Sequence, residues 1–576
     1  MKRSTTRTGE TGGGRWRHWL VLGALGVCGV ALLARAVYLQ VIDQDFLEKQ
    51  GDARILRVAK LSANRGMILD RNGEALAVST PVDTVWADPR KLAEVPQDFP
   101  RLAKALDRDT QWLARRVTSS LDKEFVYLVR HMRPTDAAKV KALGIPGVDT
   151  LREYRRYYPA GEVTGHLLGF TNVDDVGQEG LELAYDQWLG GEPGAKRVMR
   201  DSLGRTIEDI ERIKAPRPGQ DLRTSIDLRV QYLAYRELKA AVQANKARAG
   251  SIVVIDIATG EVLAMVNQPA FNPNDREQYA ASRYRNRATN DFLEPGSSIK
   301  PFVVAAGMET GRYHGDTLID TAPGMMRVGI KTVKDHNNLG TIDVTTVLAK
   351  SSNVGTVKIA LSLKPQEMWT ALDAFGFGRV SGSGFPGESA GILTGYEHWR
   401  SISQATMAYG YGLSVTPLQL TQAYAVLGAG GVKRPISLRK VDTPAAGERV
   451  MPEPVARELV RMLESVVSDV GTARRAAVMG YRVSGKTGTA WKASETGGYS
   501  TNKYLAIFGG VVPSSNPRLA AVVIIDEPTS GAYYGGEVAA PVFSSVMSGA
   551  LRLLAIPPDD LQRVPATTLV QAQDPW

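Results

Sequence analysis

The stretch WLVLGALGVCGVALLA (residues 19–34) runs sixteen residues without a charge, shortly after Arg15 and Arg17. Apolar character resumes beyond Arg35 with Ala36, Val37, Tyr38 and Leu39. Residues 19–39 are therefore long enough to cross a bilayer as one helix, with Arg35 snorkelling to the interface. The run also fits a cleaved signal peptide, with Ala34-Arg35-Ala36 as the small-residue site; its continuation past that site favours an uncleaved anchor. On either reading the basic flank, residues 1–18 with Lys2, Arg3 and Arg7, stays in the cytoplasm and the chain beyond about residue 40 is exported. The exported part must then work where no ATP is available.

At 576 residues the chain has room for two or three domains, and its balance of 43% hydrophobic to 23% charged residues belongs to a folded protein. The net charge of +10 invites nucleic acid as a partner, but part of it sits in the N-terminal basic run. No zinc-finger spacing or RNP-like motif accompanies it, so the membrane surface is the expected partner and nucleic acid is not. Cys28, the only cysteine, lies in the apolar stretch, which leaves no disulfide framework and no cysteine metal site. The six histidines are scattered and form no HExxH, so neither a metal nor a cofactor is expected.

Residues 40–220 are charged and loop-rich. RGMILDRNGEALAVSTPV (65–82) reads as two strands around a tight turn at Asp70-Arg71-Asn72-Gly73. RRYYPAGEVTGHLLGF (155–170) and RDSLGR (200–205) are punctuated in the same way, and KAPRPGQ (214–220) reads as a linker. From 221 the pattern changes. A short strand leads into a helix with Leu228, Val230, Tyr232, Leu233 and Leu238 on its apolar faces. GSIVVIDIATGEVLAMVN (250–267) is a hairpin turning at Ala258-Thr259-Gly260, and residues 504–513 and 518–528 are two further strands. Mostly helical sequence lies between, including DVTTVLAKSSNVGTVKIALSL (343–363). The expectation is an α+β chain in which helices cover one antiparallel sheet within residues 221–555, followed by a flexible tail at 556–576.

LEPGSSIKPF (293–302) bears on chemistry. Pro301 is tolerated only near a helix start, so a helix begins close to Ser297. Positions i and i+3 share a face, which points Ser297, rather than Ser298, toward Lys300. A lysine neutralised by burial or by other cations could take the proton of that serine. A capped helix with a solvated lysine fits the same residues. Ser351 and Asn353 in AKSSNVG present a hydroxyl and an amide on one side of a turn, or else an N-cap. VSGKTGTAW supplies Lys486, Thr487, Gly488 and Thr489 on a flat strand or a surface turn.

In that order, with SxN 54 residues after SxxK and KTG a further 135 beyond, the three motifs resemble those of the penicillin-binding proteins and serine β-lactamases. RGMILDRNGEALA, YYPAGEVTGHLLGFTNVDDVGQEGLE, RDSLGR, GFPGES (384–389) and MAYGYGLSVTPLQL (407–420) extend the resemblance to class B penicillin-binding proteins, and most of all to their septal branch. The resemblance implies a serine β-lactamase-like transpeptidase domain over 221–555 and a pedestal or dimerisation module over 40–220. It implies Ser297 as nucleophile, Lys300 as general base, Ser351 as proton shuttle and Asn353 as ligand of the peptide amide. Lys486, Thr487 and Thr489 would hold the substrate carboxylate and edge, and the N–H groups of Ser297 and Thr489 would form the oxyanion hole. Tyr504, Tyr533 and Tyr534 fall where the family has aromatic residues beside the site, although each could equally be core or sheet surface. Implied partners are peptidoglycan stem peptides on lipid II-derived glycan strands, β-lactams, the septal polymerase FtsW and other divisome proteins. A β-lactamase, a penicillin-sensing receptor, an accessory class B enzyme and a non-catalytic division scaffold remain alternatives.

Overall fold

The computed structural model describes residues 15–44, 56–200, 206–275, 280–494 and 497–561. Most of RDSLGR, residues 1–14 of the basic tail and residues 562–576 therefore lie outside the described residues. The chain divides into two compact units that alternate along the sequence. One contains Met1–Ala63, Pro81–Glu153 and Glu192–Arg217; the other contains Asn64–Thr80, Tyr154–Gly191 and Pro218–Trp576.

In the first unit the apolar stretch forms the helix Arg15–Val37, continued by one π-turn at Tyr38–Ile42. Mean hydropathy reaches 2.2 within Trp16–Ile42 and no residue of the segment is buried, as fits a membrane-crossing helix. A three-stranded antiparallel sheet joins Leu56–Leu61, Gly194–Arg200 and Thr206–Lys214. A small separate core gathers Leu92, Phe99, Leu102, Leu113, Val117, Leu128 and Val140.

The second unit is built on a five-stranded sheet: β1 (Ala249–Asp256), β2 (Val262–Gln268), β3 (Ser484–Ala493), β4 (Tyr499–Val512) and β5 (Leu519–Asp526). The order is β2-β1-β5-β4-β3, antiparallel throughout, which leaves β3 at one edge. Every residue of β2 and β5 is buried, which explains why residues 262–266 and 519–525 read as apolar runs rather than alternating ones. Both faces are covered. Phe508 of β4 packs edge-on against Phe543 of the helix Ala540–Leu553, with ring centroids 4.8 Å apart. The next residue, Gly509, faces the Tyr424 ring of the helix Pro417–Gly428. The expected α+β layering is thus observed, and the interposed helices include Lys300–Glu309 and Asn353–Ser362.

Two local expectations change. The helix Leu228–Ala244 turns Val230, Ala234 and Leu238 inward, while Tyr232 is 55% exposed because it lies half a turn away from that line. The end of KAPRPGQ is pinned rather than loose: the N–H of Gly219 donates to the Asn64 carbonyl (2.8 Å) and that of Gln220 to the Trp188 carbonyl (3.0 Å).

Buried charge ties three segments of this unit together. Glu182 accepts from Arg65 Nε (2.7 Å) through one oxygen and from Arg156 Nε (2.6 Å) through the other, and all three side chains are at most 2% exposed. Arg65 also reaches Asp186 at 2.7 Å, and Arg156 donates to the Gly66 carbonyl at 2.8 Å. Each guanidinium therefore keeps several acceptors, as a buried cation must. Glu182→Ala should lower stability by about 3–5 kcal/mol, because it strands two buried guanidiniums. Urea denaturation of the detergent-solubilised chain measures this; a loss below about 1 kcal/mol would show that the network carries little of the fold.

Candidate active site

Gly296–Ile299 form a 3-10 turn, and the α-helix Lys300–Glu309 follows with Pro301 in its first turn. The α-helix starts three residues later than the sequence suggests, but a 3-10 turn has three residues per turn and keeps Ser297 and Lys300 on one face. Gly296 takes φ +53°, a left-handed conformation that favours glycine and delivers Ser297 to the turn. Ser297 is half-buried and lines an open cleft of roughly 790 Å³. Ser298 is buried, and its hydroxyl donates to the Pro295 carbonyl at 2.6 Å.

Lys300 is fully buried beneath this cleft. Its Nζ donates to the Ser351 carbonyl (2.6 Å) and to Asn353 Oδ1 (2.7 Å), and it lies 3.2 Å from Ser351 Oγ. Burial, with Lys486 nearby, holds its pKa well below the ordinary lysine value against a smaller opposing pull from Asp335. A neutral amine has two N–H donors and one lone pair. Ser351 O and Asn353 Oδ1 can only accept, and Asn353 Nδ2 donating to the Lys334 carbonyl (2.8 Å) fixes which end of the amide faces the lysine. The lone pair is then left for a hydroxyl proton, and Ser351 Oγ is within reach. Ser351 has φ +58°, a costly conformation for a serine, and it turns both carbonyl and hydroxyl toward the amine.

The cap of the following helix is Ser352, whose hydroxyl accepts from Gly355 N (2.9 Å); Ser351 is left free of that duty. Asp335 holds the segment from outside, accepting from Ser352 Oγ (2.6 Å), Val354 N (3.0 Å) and Asn353 N.

Along β3 the side chains alternate, so Thr487, Thr489 and Trp491 line the cleft while Lys486 and Gly488 face the other way. Lys486 is fully buried and its Nζ curls back to Thr487, 3.2 Å from the carbonyl and 3.3 Å from the hydroxyl. Burial brings its pKa down to about 7. A Cβ at Gly488 would stand 2.7 Å from the Pro295 carbonyl, so the glycine lets the Ser297 turn lie directly on the strand. Thr487 shares a hydrogen bond with Thr472 (2.9 Å), and Thr489 Oγ1 accepts from Gly535 N (3.1 Å). Tyr504 and Tyr533 stack at 4.2 Å, with Tyr534 4.4 Å from Tyr533, and all three line the cleft. The structure thus brings ten of the eleven anticipated residues to the cleft or directly beneath it; Gly488 contributes through packing.

Other contributors carry no signal in the motifs. Tyr424, fully buried, donates to the Ser298 carbonyl at 2.8 Å and fixes the nucleophile turn from below. Tyr409 and Tyr411 line the cleft within MAYGYGLSVTPLQL, and the Trp491 N–H donates to Tyr411 Oη at 3.2 Å. Asp335 comes from a polar loop with no periodicity to mark it.

A serine on a helix-start turn, a buried lysine three residues on whose pKa is held down, and a flat edge strand packed on the turn make a site for serine-based acyl transfer. Residues 250–548 match the family described as "Penicillin binding protein transpeptidase domain", and residues 60–224 match "Penicillin-binding Protein dimerisation domain". The chain is 44% identical to the peptidoglycan D,D-transpeptidase FtsI of Escherichia coli (strain K12), over 95% of this chain and 93% of that one. It is 42% identical to the probable peptidoglycan D,D-transpeptidase PbpC of Pseudomonas aeruginosa, over 96% and 97%. The transpeptidase domain of Burkholderia pseudomallei penicillin-binding protein 3 superposes with TM-score 0.54 and 44% identity, covering 58% of this chain and 97% of that structure. The chain belongs to the class B penicillin-binding protein family.

Because the Lys486 charge helps hold Lys300 neutral, removing it should raise the Lys300 pKa. In Lys486→Gln the acid limb of the acylation rate, measured by stopped flow with a chromogenic cephalosporin, should move to higher pH. An unmoved or lowered limb would mean that Lys300 is not the titrating base.

Proposed function

We propose that this chain is a peptidoglycan D,D-transpeptidase that cross-links stem peptides at the division septum through an acyl-enzyme on Ser297. The observation that carries the reading is the fully buried Lys300 amine, three residues along the turn from Ser297 and held against Ser351 and Asn353. The 44% identity to FtsI over nearly the whole chain supports the substrate class. Ser297 Oγ attacks the carbonyl of the penultimate D-Ala while its proton passes to Lys300. The N–H groups of Ser297 and Thr489 receive the oxyanion. Ser351 relays the proton to the leaving nitrogen, the C–N bond breaks and the terminal D-Ala departs. An amine of a neighbouring stem peptide then attacks the ester, loses its proton along the same path and regenerates the serine. Water in place of the amine gives carboxypeptidase hydrolysis, and exclusion of water decides between them.

Asn353 holds the donor amide, and Thr487 and Thr489 hold the terminal carboxylate with the Lys486 ammonium behind them, 3.3 Å from the Thr487 hydroxyl. An anion at Thr487 favours the charged form of Lys486, which pushes Lys300 further toward its neutral form. Recognition thereby readies the base. The stacked Tyr504, Tyr533 and Tyr534 offer an apolar wall. A β-lactam follows the first half of this course and stays as a slowly hydrolysed ester.

Residues 1–18 are assigned to the cytoplasm, 19–39 to a single membrane anchor, 40–220 to the non-catalytic module, 221–555 to the periplasmic transpeptidase domain and 556–576 to a tail. The anchor and module would meet the glycosyltransferase FtsW and other divisome proteins. Ser297→Ala should abolish covalent labelling by fluorescent penicillin, and Ser351→Ala should slow it by roughly 10²–10⁴-fold. Persistent labelling of the alanine variant at position 297 would sink the nucleophile assignment. No labelling of the wild type would leave a non-catalytic scaffold.

A further inference from the structure

The hairpin Met325–Val328 and Lys331–Lys334 borders the cleft, with Thr332, Val333 and Lys334 among its lining residues. Residues 324–334 contain Arg327, Lys331 and Lys334 and no acid. Among the described residues none of these three cations makes an ion pair; only Arg327 Nε has a partner, the Gly329 carbonyl at 3.1 Å. Surface cations are commonly solvated, so exposure alone means little. Lys334 differs in its placement.

Its carbonyl accepts from Asn353 Nδ2 at 2.8 Å, which fixes its backbone to the residue proposed to hold the donor amide. Its ammonium is exposed at the cleft and, among the described residues, has no partner, whereas the neighbouring Lys350 and Asp335 are engaged. Lys350 donates to the Val470 carbonyl at 2.7 Å, and Asp335 is spent on Ser352, Asn353 and Val354. The cleft therefore offers one uncommitted ammonium, on a backbone fixed beside the SxN segment.

Resting on the transpeptidase reading, we propose that Lys334 reads a carboxylate of the stem peptide upstream of its D-Ala-D-Ala end. A stem peptide carries such a group in the α-carboxylate left free by its γ-linked D-glutamyl residue. The proposed Lys486-Thr487-Thr489 subsite takes only the terminal carboxylate, so the upstream charge needs its own partner. An isoglutamine at that position would present a carboxamide and lose the attraction.

Two synthetic stem pentapeptides, identical except for D-isoglutamate or D-isoglutamine, test this with the full-length detergent-solubilised chain. Each peptide competes with benzylpenicillin for acylation, and the half-protecting concentration is read per penicillin-titrated site. The wild type should be protected by the isoglutamate peptide at roughly three- to fivefold lower concentration. That preference should shrink at high ionic strength. Lys334→Gln should bring the ratio near one, and Lys334→Arg should restore it. The ratio is internal to each variant, so partial misfolding does not mimic the effect. A wild type protected equally by both peptides, or by neither, overturns the proposal, as does a Lys334→Gln variant that keeps the wild-type ratio. A wild type that benzylpenicillin does not acylate at Ser297 overturns the transpeptidase reading as well.

Discussion

The structure around the cleft depends on one unfavourable act, the burial of the Lys300 amine. An ammonium there would lose its hydration and face a second buried lysine, and the site resolves the conflict by favouring the neutral amine. The neutral form fits the hydrogen bonding. It has only two N–H donors, two oxygens that can only accept take them, and a lone pair is left over. Ser351 is held in its strained conformation, and the Asn353 amide is turned by Lys334, because that arrangement needs both.

The sheet supplies the rigidity this requires. With both faces of the sheet covered, the edge strand β3 cannot shift without disturbing a close-packed interior. Gly488 lets the Ser297 turn lie against that strand, and Tyr424 reaches through the helical layer to hold the Ser298 carbonyl. Phe302, five residues beyond Ser297, packs edge-on against Phe375, Phe377 and Tyr424 at 4.9–5.3 Å. The Ser297 turn is thereby joined to the apolar core through the helix that follows it.

Much of this was legible beforehand, for identifiable reasons. Pro301 marked a helix start because proline has no N–H to give, and the apolar runs at 250–267 marked strands because buried strands need no polar face. The three motifs gave the residues of the site, since each keeps its chemistry within a few positions. What could not be read was long-range or depended on phase. Asp335 reaches the SxN segment across 17 to 19 positions, and Tyr424 reaches Ser298 across 126. The burial of Lys486 follows from strand alternation once β3 is known to be an edge strand with Thr487 toward the cleft. Before that, the same residues also fit a surface turn. Tyr232 shows the converse: its residue type suggested core, and helical phase placed it outside.

The departures from ordinary folding rules gather at one place. Two fully buried lysines and a serine with φ +58° surround the same few side chains, while the strands behind them are apolar without exception in β2's Val262–Val266 stretch and along most of β5. Such features cost stability and persist only where the surroundings over-determine them. An isolated SxxK is ambiguous because its serine and lysine are favourable in an ordinary capped helix. In the folded chain the lysine is unfavourable as a charge, and that separates it from a solvated cation. The lowered pKa of Lys300 thus rests less on the motif than on the apolar mass that removes water from it.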